Sequence, residues 1–218
     1  MVFANGLQHK IPLMGEFNAD EQEHFIPYGL SMTNTTKYQD GLELYFAPRA
    51  SQALALYPDS TPLLLQDSAS NLVGDMVICE QVYSTINYQY KTSGLPATSV
   101  FTYYFTYTSL YSPLAIYTAE LPFVFGNLGP NRWSGPAEGP PVPQDIAFSR
   151  ILISYWTNLA KTGNPNGAGV RHWPAYAAKG ADISELSDAI PAAIIIRRAS
   201  NSSPRSEVMW RHLQTGTK

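Results

Sequence analysis

Leu114-Ala115-Ile116-Tyr117-Thr118-Ala119-Glu120-Leu121-Pro122-Phe123-Val124-Phe125-Gly126 is the stretch whose reading decides the fold. Immediately upstream, residues 98–108 alternate with period two: Phe101, Tyr103, Phe105 and Tyr107 share one side, and Val100, Thr102, Tyr104 and Thr106 the other. Aromatic and β-branched residues in that rhythm predict a strand. The quoted stretch is therefore the loop that leaves a strand, with Tyr117 nine residues past Thr108. Phe123, Val124 and Phe125 read as core residues that position this loop. Downstream, residues 127–143 form a Gly/Pro-rich loop. Residues 145–161 then read as an amphipathic helix with Phe148, Leu152, Tyr155 and Leu159 on one face, closed by Gly163 with Lys161 in the last turn.

Further out, residues 11–17 read as a short buried strand ending at a turn, after which Asp20, Glu21 and Glu23 sit where a helix would begin. Residues 40–57 give two short helical pieces split near Pro48, and residues 57–60 a loop. A longer helix is predicted over 68–90, because Leu72, Met76, Cys79 and Tyr83 recur at three- and four-residue steps. Residues 192–196 suit a short strand, and Ser203 with Pro204 suits the start of a helix running through His212.

Composition bounds the partners. Charged residues make up 14% of the chain against a usual share of about 25%, a shortage that suits part of a larger body whose surface lies partly elsewhere. The net charge of −3 and the lack of a concentrated basic motif argue against nucleic acid, and Arg197, Arg198, Arg205 and Arg211 read as a solvated end of the molecule. No run of apolar residues is long enough for a membrane span, and residues 1–10 lack the build of a signal peptide. Cys79 is the single cysteine, so no internal disulfide forms and no cysteine-rich metal site exists; a buried thiol is expected.

Three segments, in order, carry a resemblance to the type B carboxylesterase and cholinesterase family. The first is Ile11-Pro12-Leu13-Met14-Gly15-Glu16-Phe17-Asn18-Ala19-Asp20-Glu21, which is similar to the strand and turn that deliver the triad acid. The second is the 114–126 stretch, where the family places glycine-alanine-aromatic-histidine before Glu-Leu-Pro-Phe-Val-Phe-Gly. The third is Trp156-Thr157-Asn158-Leu159-Ala160-Lys161-Thr162-Gly163-Asn164-Pro165-Asn166, continued by Trp173-Pro174-Ala175-Tyr176. The resemblance implies that Glu21 stands at the triad-acid position and that Tyr117 occupies the histidine position. Leu114 replaces the family's glycine.

In α/β-hydrolases the triad runs serine, acid, histidine, with the serine in a Gly-x-Ser-x-Gly elbow. Neither that elbow nor a His-Gly-Gly-Gly run occurs in this chain. The resemblance thus implies the α/β class: residues 1–218 are expected to be the C-terminal portion of an α/β-hydrolase fold and of a single type B carboxylesterase domain, with an incomplete sheet, flanking helices and the nucleophile-bearing half absent. It also implies that the chain would be poorly folded, aggregation-prone or dependent on a partner that supplies the missing strands.

A serine esterase needs an imidazole to take and return the hydroxyl proton, while a carboxylate fixes its tautomer. Glu21 suits the carboxylate role; read from spacing alone it is an ordinary acidic residue at a helix start. Tyr117 does not suit the imidazole role, because a phenol with a pKa near ~10, against ~6.5 for histidine, is a very weak base at neutral pH. His9, His24, His172 and His212 read as surface or core histidines. The Glu21–His24 spacing permits a metal-binding pair but lacks ligands from other helices. Phe25, Tyr28, Tyr103 and Tyr111 are either pocket-lining or core aromatics.

The expected function is a carboxylic ester hydrolase, inactive as it stands, using no cofactor and no metal, with a small-molecule ester as substrate once an N-terminal half completes it. The alternative is a non-catalytic esterase-like pseudoenzyme or protein-binding module. The family's members are often secreted, but these residues fix no compartment.

Overall fold

The computed structural model describes residues 2–21, 30–129 and 139–176, together with the backbone of residues 182–186 and 194–198. Its sheet is built from β1 (Leu13–Asn18), β2 (Val100–Phe105), β3 (Asp182–Leu186) and β4 (Ile194–Arg198), lying side by side in that order. β1 and β2 run parallel, with Leu13 opposite Val100 and Asn18 opposite Phe105. β3 continues the parallel set and β4 closes it antiparallel. β1 is therefore an edge strand of the described sheet.

β2 shows why the parallel arrangement follows from its sequence. A parallel strand is covered on both faces, so both sides of its alternation must be compatible with burial. Phe101, Tyr103 and Phe105 belong to the largest core, beside Phe148, Leu152 and Tyr155 of α6 (Pro143–Thr162). Tyr107 stacks on Phe148 at 4.1 Å between ring centroids, and Trp173 meets Tyr103 and Tyr155 edge to face. Val100 instead joins Ile86 of α4 (Glu80–Thr92) and Tyr176 in a smaller cluster. Gly15 of β1 is required by this packing: a Cβ there would come within 2.9 Å of the Ile86 side chain.

Away from the sheet, α1 (Thr35–Phe46), α2 (Ala50–Leu56) and α3 (Pro62–Gly74) surround a separate apolar cluster containing Tyr38, Leu42, Tyr57, Leu65 and Leu72. The break between α1 and α2 falls near Pro48, as the sequence predicts. Asn34 caps α1 by accepting from the Lys37 N–H at 2.9 Å, and Thr61 with Pro62 starts α3. α6 begins at Pro143, and Asp145 reaches back to accept the Val142 N–H at 2.7 Å. It ends at Gly163, whose φ of +74° and approach to the Pro12 ring leave no room for a side chain.

Several expectations shift. The helix predicted over 68–90 spans α3 and α4, joined by a π-helical turn at Asp75–Cys79. Phe123 and Val124 are core, but Phe125 is 76% exposed. The cause is a short helix, α5 (Leu121–Val124), which puts Phe125 four residues from half-exposed Leu121 and on its side. The predicted strand over 192–196 appears as β4. The helix through His212 and the helix start beyond Glu21 lie outside the described residues.

Candidate functional site

The site is built where β1 and β2 end. Beyond the last sheet pair, the Ala19 N–H donates to the Phe105 carbonyl at 3.0 Å. Asp20 and Ile116 then form an isolated parallel bridge. The Asp20 N–H donates to the Ala115 carbonyl at 3.0 Å, and the Ala115 N–H donates back to Asp20 Oδ2 at 2.9 Å. Each candidate residue follows its bridge residue directly: Glu21 after Asp20, Tyr117 after Ile116. Both line one crevice of about 380 Å³ at the carboxyl ends of the parallel strands, together with Asn18, Glu16, Glu120 and Leu121. Crevices outside those ends are where open α/β sheets place their ligands.

Asn18 organises the acid side. Its N–H donates to Glu21 Oε1 at 2.7 Å, and its side-chain amide donates to the Ile116 carbonyl at 3.0 Å and to Glu120 Oε2 at 3.1 Å. It thus ties the loop after β1 to the loop bearing Tyr117. Thr118 pins the other side. It holds φ at +69°, a left-handed conformation that a β-branched residue enters only under strain, and its hydroxyl donates to the Tyr117 carbonyl. The wall opposite is Val77 and Ile78 of the π-helical turn, with Gln81 and Val82 of α4. Such turns recur at functional sites because they redirect side chains without ending the helix.

The electrostatics are one-sided. Glu21 is 6% exposed, and burial, reinforced by Glu120 and Asp20, pushes its carboxyl from 4.5 up to about 7 despite the bond from Asn18. Glu16 is raised well above the carboxylate range by burial and by its hydrogen-bonded neighbour Glu120, although the Tyr103 hydroxyl also bonds to it. Tyr103 is itself core, as is Tyr111, and neither lines the crevice. Tyr117 is half exposed at its mouth. His9 and His172 are exposed and outside it, while His24, His212, Phe25 and Tyr28 lie outside the described residues.

Among the described residues, no group of three His, Cys, Asp or Glu side chains is arranged to hold a metal ion, and no helix is long and apolar enough to cross a membrane. Cys79 is in no disulfide and is buried, and burial, with Asp75 beside it, pushes its thiol well above the usual range. Sequence reasoning assigned no role to Glu16, Asn18 or Glu120. Their signal was two polar residues, Glu16 and Asn18, within a strand whose neighbours are largely apolar.

A carboxylesterase family model matches residues 2–192. The chain belongs to the carboxylesterase family. Among carboxylesterases, it is 25% identical to the fumonisin B1 esterase of Sphingopyxis macrogoltabida over 189 residues, covering 82% of this chain and 33% of that protein. It is 32% identical to carboxylesterase 5A of Felis catus over 127 residues, covering 55% of this chain and 22% of the relative. A solved thermophilic PNB esterase superposes with a TM-score of 0.70 at 26% identity, covering 94% of this chain and 40% of the esterase. The architecture is thus part of an α/β-hydrolase fold. The chain spans about a third or less of the length of these curated relatives.

Proposed function

We propose that these residues supply the acid and base loops of a serine-type carboxylic ester hydrolase, and that with Tyr117 at the base position they do not sustain turnover. The observation that carries this reading is the Asp20–Ile116 bridge, which brings Glu21 and Tyr117 onto one crevice at the strand ends. Glu21 is the acid that would orient an imidazole. A neutral phenol at position 117 neither accepts the serine proton at pH 7 nor carries it to a leaving alcohol. The nucleophile and oxyanion donors of the proposed enzyme lie outside these 218 residues, and the ester would be bound largely by the part that carries them. No cofactor or metal is required.

The test joins the chain to the N-terminal portion of a PNB esterase and follows p-nitrophenyl ester hydrolysis. Tyr117→His is expected to raise kcat/KM by roughly 10³-fold or more, since loss of a triad member leaves only the acceleration from binding and the oxyanion hole. Glu21→Gln in that background should lower it again. An unchanged rate in a folded, assembled enzyme would overturn the assignment of position 117.

A second reading, a non-catalytic esterase-like module that binds protein, is supported by the exposed apolar residues Leu114, Tyr117, Leu121 and Phe125 of the loop and the end of α5. The two readings part on the serine. A Gly-x-Ser-x-Gly elbow in the polypeptide that carries these residues favours the hydrolase, and a replaced serine favours the module.

A further inference from the structure

We propose that Asn34, at the start of α1, is an N-glycosylation site whose side-chain nitrogen takes a glycan from a polyprenyl-diphosphate-linked oligosaccharide as the chain enters a secretory lumen. Asn34-Thr35-Thr36 has the Asn-x-Thr form of an acceptor. Among the described residues no other asparagine is followed two places on by Ser or Thr, and Asn201-Ser202-Ser203, which has the same form, lies outside them. Such triplets also arise by chance, and what distinguishes this one is its place in the fold. Asn34 is the N-cap of α1, and its Oδ1 accepts the Lys37 N–H at 2.9 Å. Of the two amide atoms only the oxygen can accept from a backbone N–H, so this bond fixes which way the amide faces. Nδ2 is left on the other branch with no hydrogen bond to a described residue, and residues 33–37 are all exposed. The Ser31 hydroxyl oxygen accepts the Asn34 N–H at 3.0 Å and holds the turn that presents the triplet.

The two amide atoms thus divide the work: the oxygen serves the helix, and the nitrogen can carry a sugar with the cap intact. In the transfer a bond forms between Nδ2 and the anomeric carbon of the oligosaccharide. The bond from that carbon to the diphosphate oxygen breaks and its electron pair leaves with the diphosphate, while Nδ2 gives one proton to a base of the transferring enzyme. The surface around the site favours such a group. Charged residues make up 14% of the chain, and α1 leaves Leu44 78% and Tyr45 42% exposed. A bulky hydrated glycan at the start of this helix adds the polar surface that the side chains do not supply. α1 contributes no residue to the crevice, so the inference stands apart from ester hydrolysis.

The test expresses the full chain behind a cleavable leader in a eukaryotic secretory host, with Ser203→Ala added so that Asn34 heads the one remaining acceptor triplet. Mass spectrometry then follows the leader-cleaved chain in the membrane and secreted fractions, before and after peptide N-glycosidase. Most molecules are expected to carry a glycan, mapped to Asn34 in the tryptic peptide spanning residues 11–37 and released without denaturation because Nδ2 faces solvent. Asn34→Asp and Thr36→Ala are each expected to abolish it. Asn34→Asp keeps an oxygen for the Lys37 N–H, so the loss there is of the acceptor nitrogen and not of the cap. A leader-cleaved chain without a glycan at Asn34, or a glycan released only after denaturation, would overturn the proposal. Transfer takes place as the chain enters the lumen, so the result is read whether or not a variant folds.

Discussion

At Glu21 a carboxylate is held in a place that disfavours its charge, and this has a measurable consequence for stability. Its folded pKa of about 7 lies above the ordinary 4.5, so the folded state keeps a proton that the unfolded chain has released. Stability is therefore fullest below pH ~4.5 and declines as pH rises toward and through ~7, by roughly 3 kcal/mol from this group. Glu16, displaced the same way, extends the decline to higher pH, and Glu120 and Asp20 are the charges that bear on Glu21. Because the Glu16 contribution declines over the same range, Glu21→Gln is expected to remove a large part, somewhat under half, of the fall between pH 5 and 7.5 in urea denaturation followed by circular dichroism. An unchanged pH profile would show that the carboxylate is not buried as described. Glu21 and Tyr117 could be singled out as candidates because they sit inside long motifs, and both line one crevice. Glu16, Asn18 and Glu120 were not assigned roles, because their importance comes from β1 meeting the loop before α5, with Asn18 and Glu120 bonded although 102 positions apart, which no local pattern encodes.

Elements were legible where burial follows a simple period. β2 and α6 were predicted nearly in place, since an alternating aromatic strand and a three-and-four-spaced helix each present a consistent apolar face. α5 and the π-helical turn were not. α5 is a single turn with no period to display, and the π-helical turn leaves the apolar spacing of the surrounding helix largely intact. The joint between β2 and α6 is held by more than apolar contact. Asp145, fully buried, accepts from the Tyr107 hydroxyl at 2.7 Å through one oxygen and from the Val142 N–H at 2.7 Å through the other. It therefore starts α6 and fastens that start to the chain leaving β2. Asp145→Ala removes the acceptor of both bonds and is expected to cost roughly 2–4 kcal/mol in chemical denaturation. A loss below ~1 kcal/mol would mean that the aromatic stack of Tyr107 and Phe148 holds the joint without it.

At the scale of the whole molecule, the sheet brings sequence-distant loops to one rim. β1 and β2 are about eighty residues apart in the chain, yet their parallel pairing makes Asp20 and Ile116 neighbours and delivers Glu21 and Tyr117 to the same crevice. That convergence is the central claim, and an introduced imidazole reports on it within this chain alone. In Tyr117→His, NMR titration of the new side chain is expected to give a pKa raised by about one unit above the ordinary ~6.5, through a hydrogen bond to the Glu21 carboxylate. It should fall back toward ~6.5 when Glu21→Gln is added. An imidazole that titrates identically in both backgrounds would contradict the account, because it would place position 117 out of reach of Glu21.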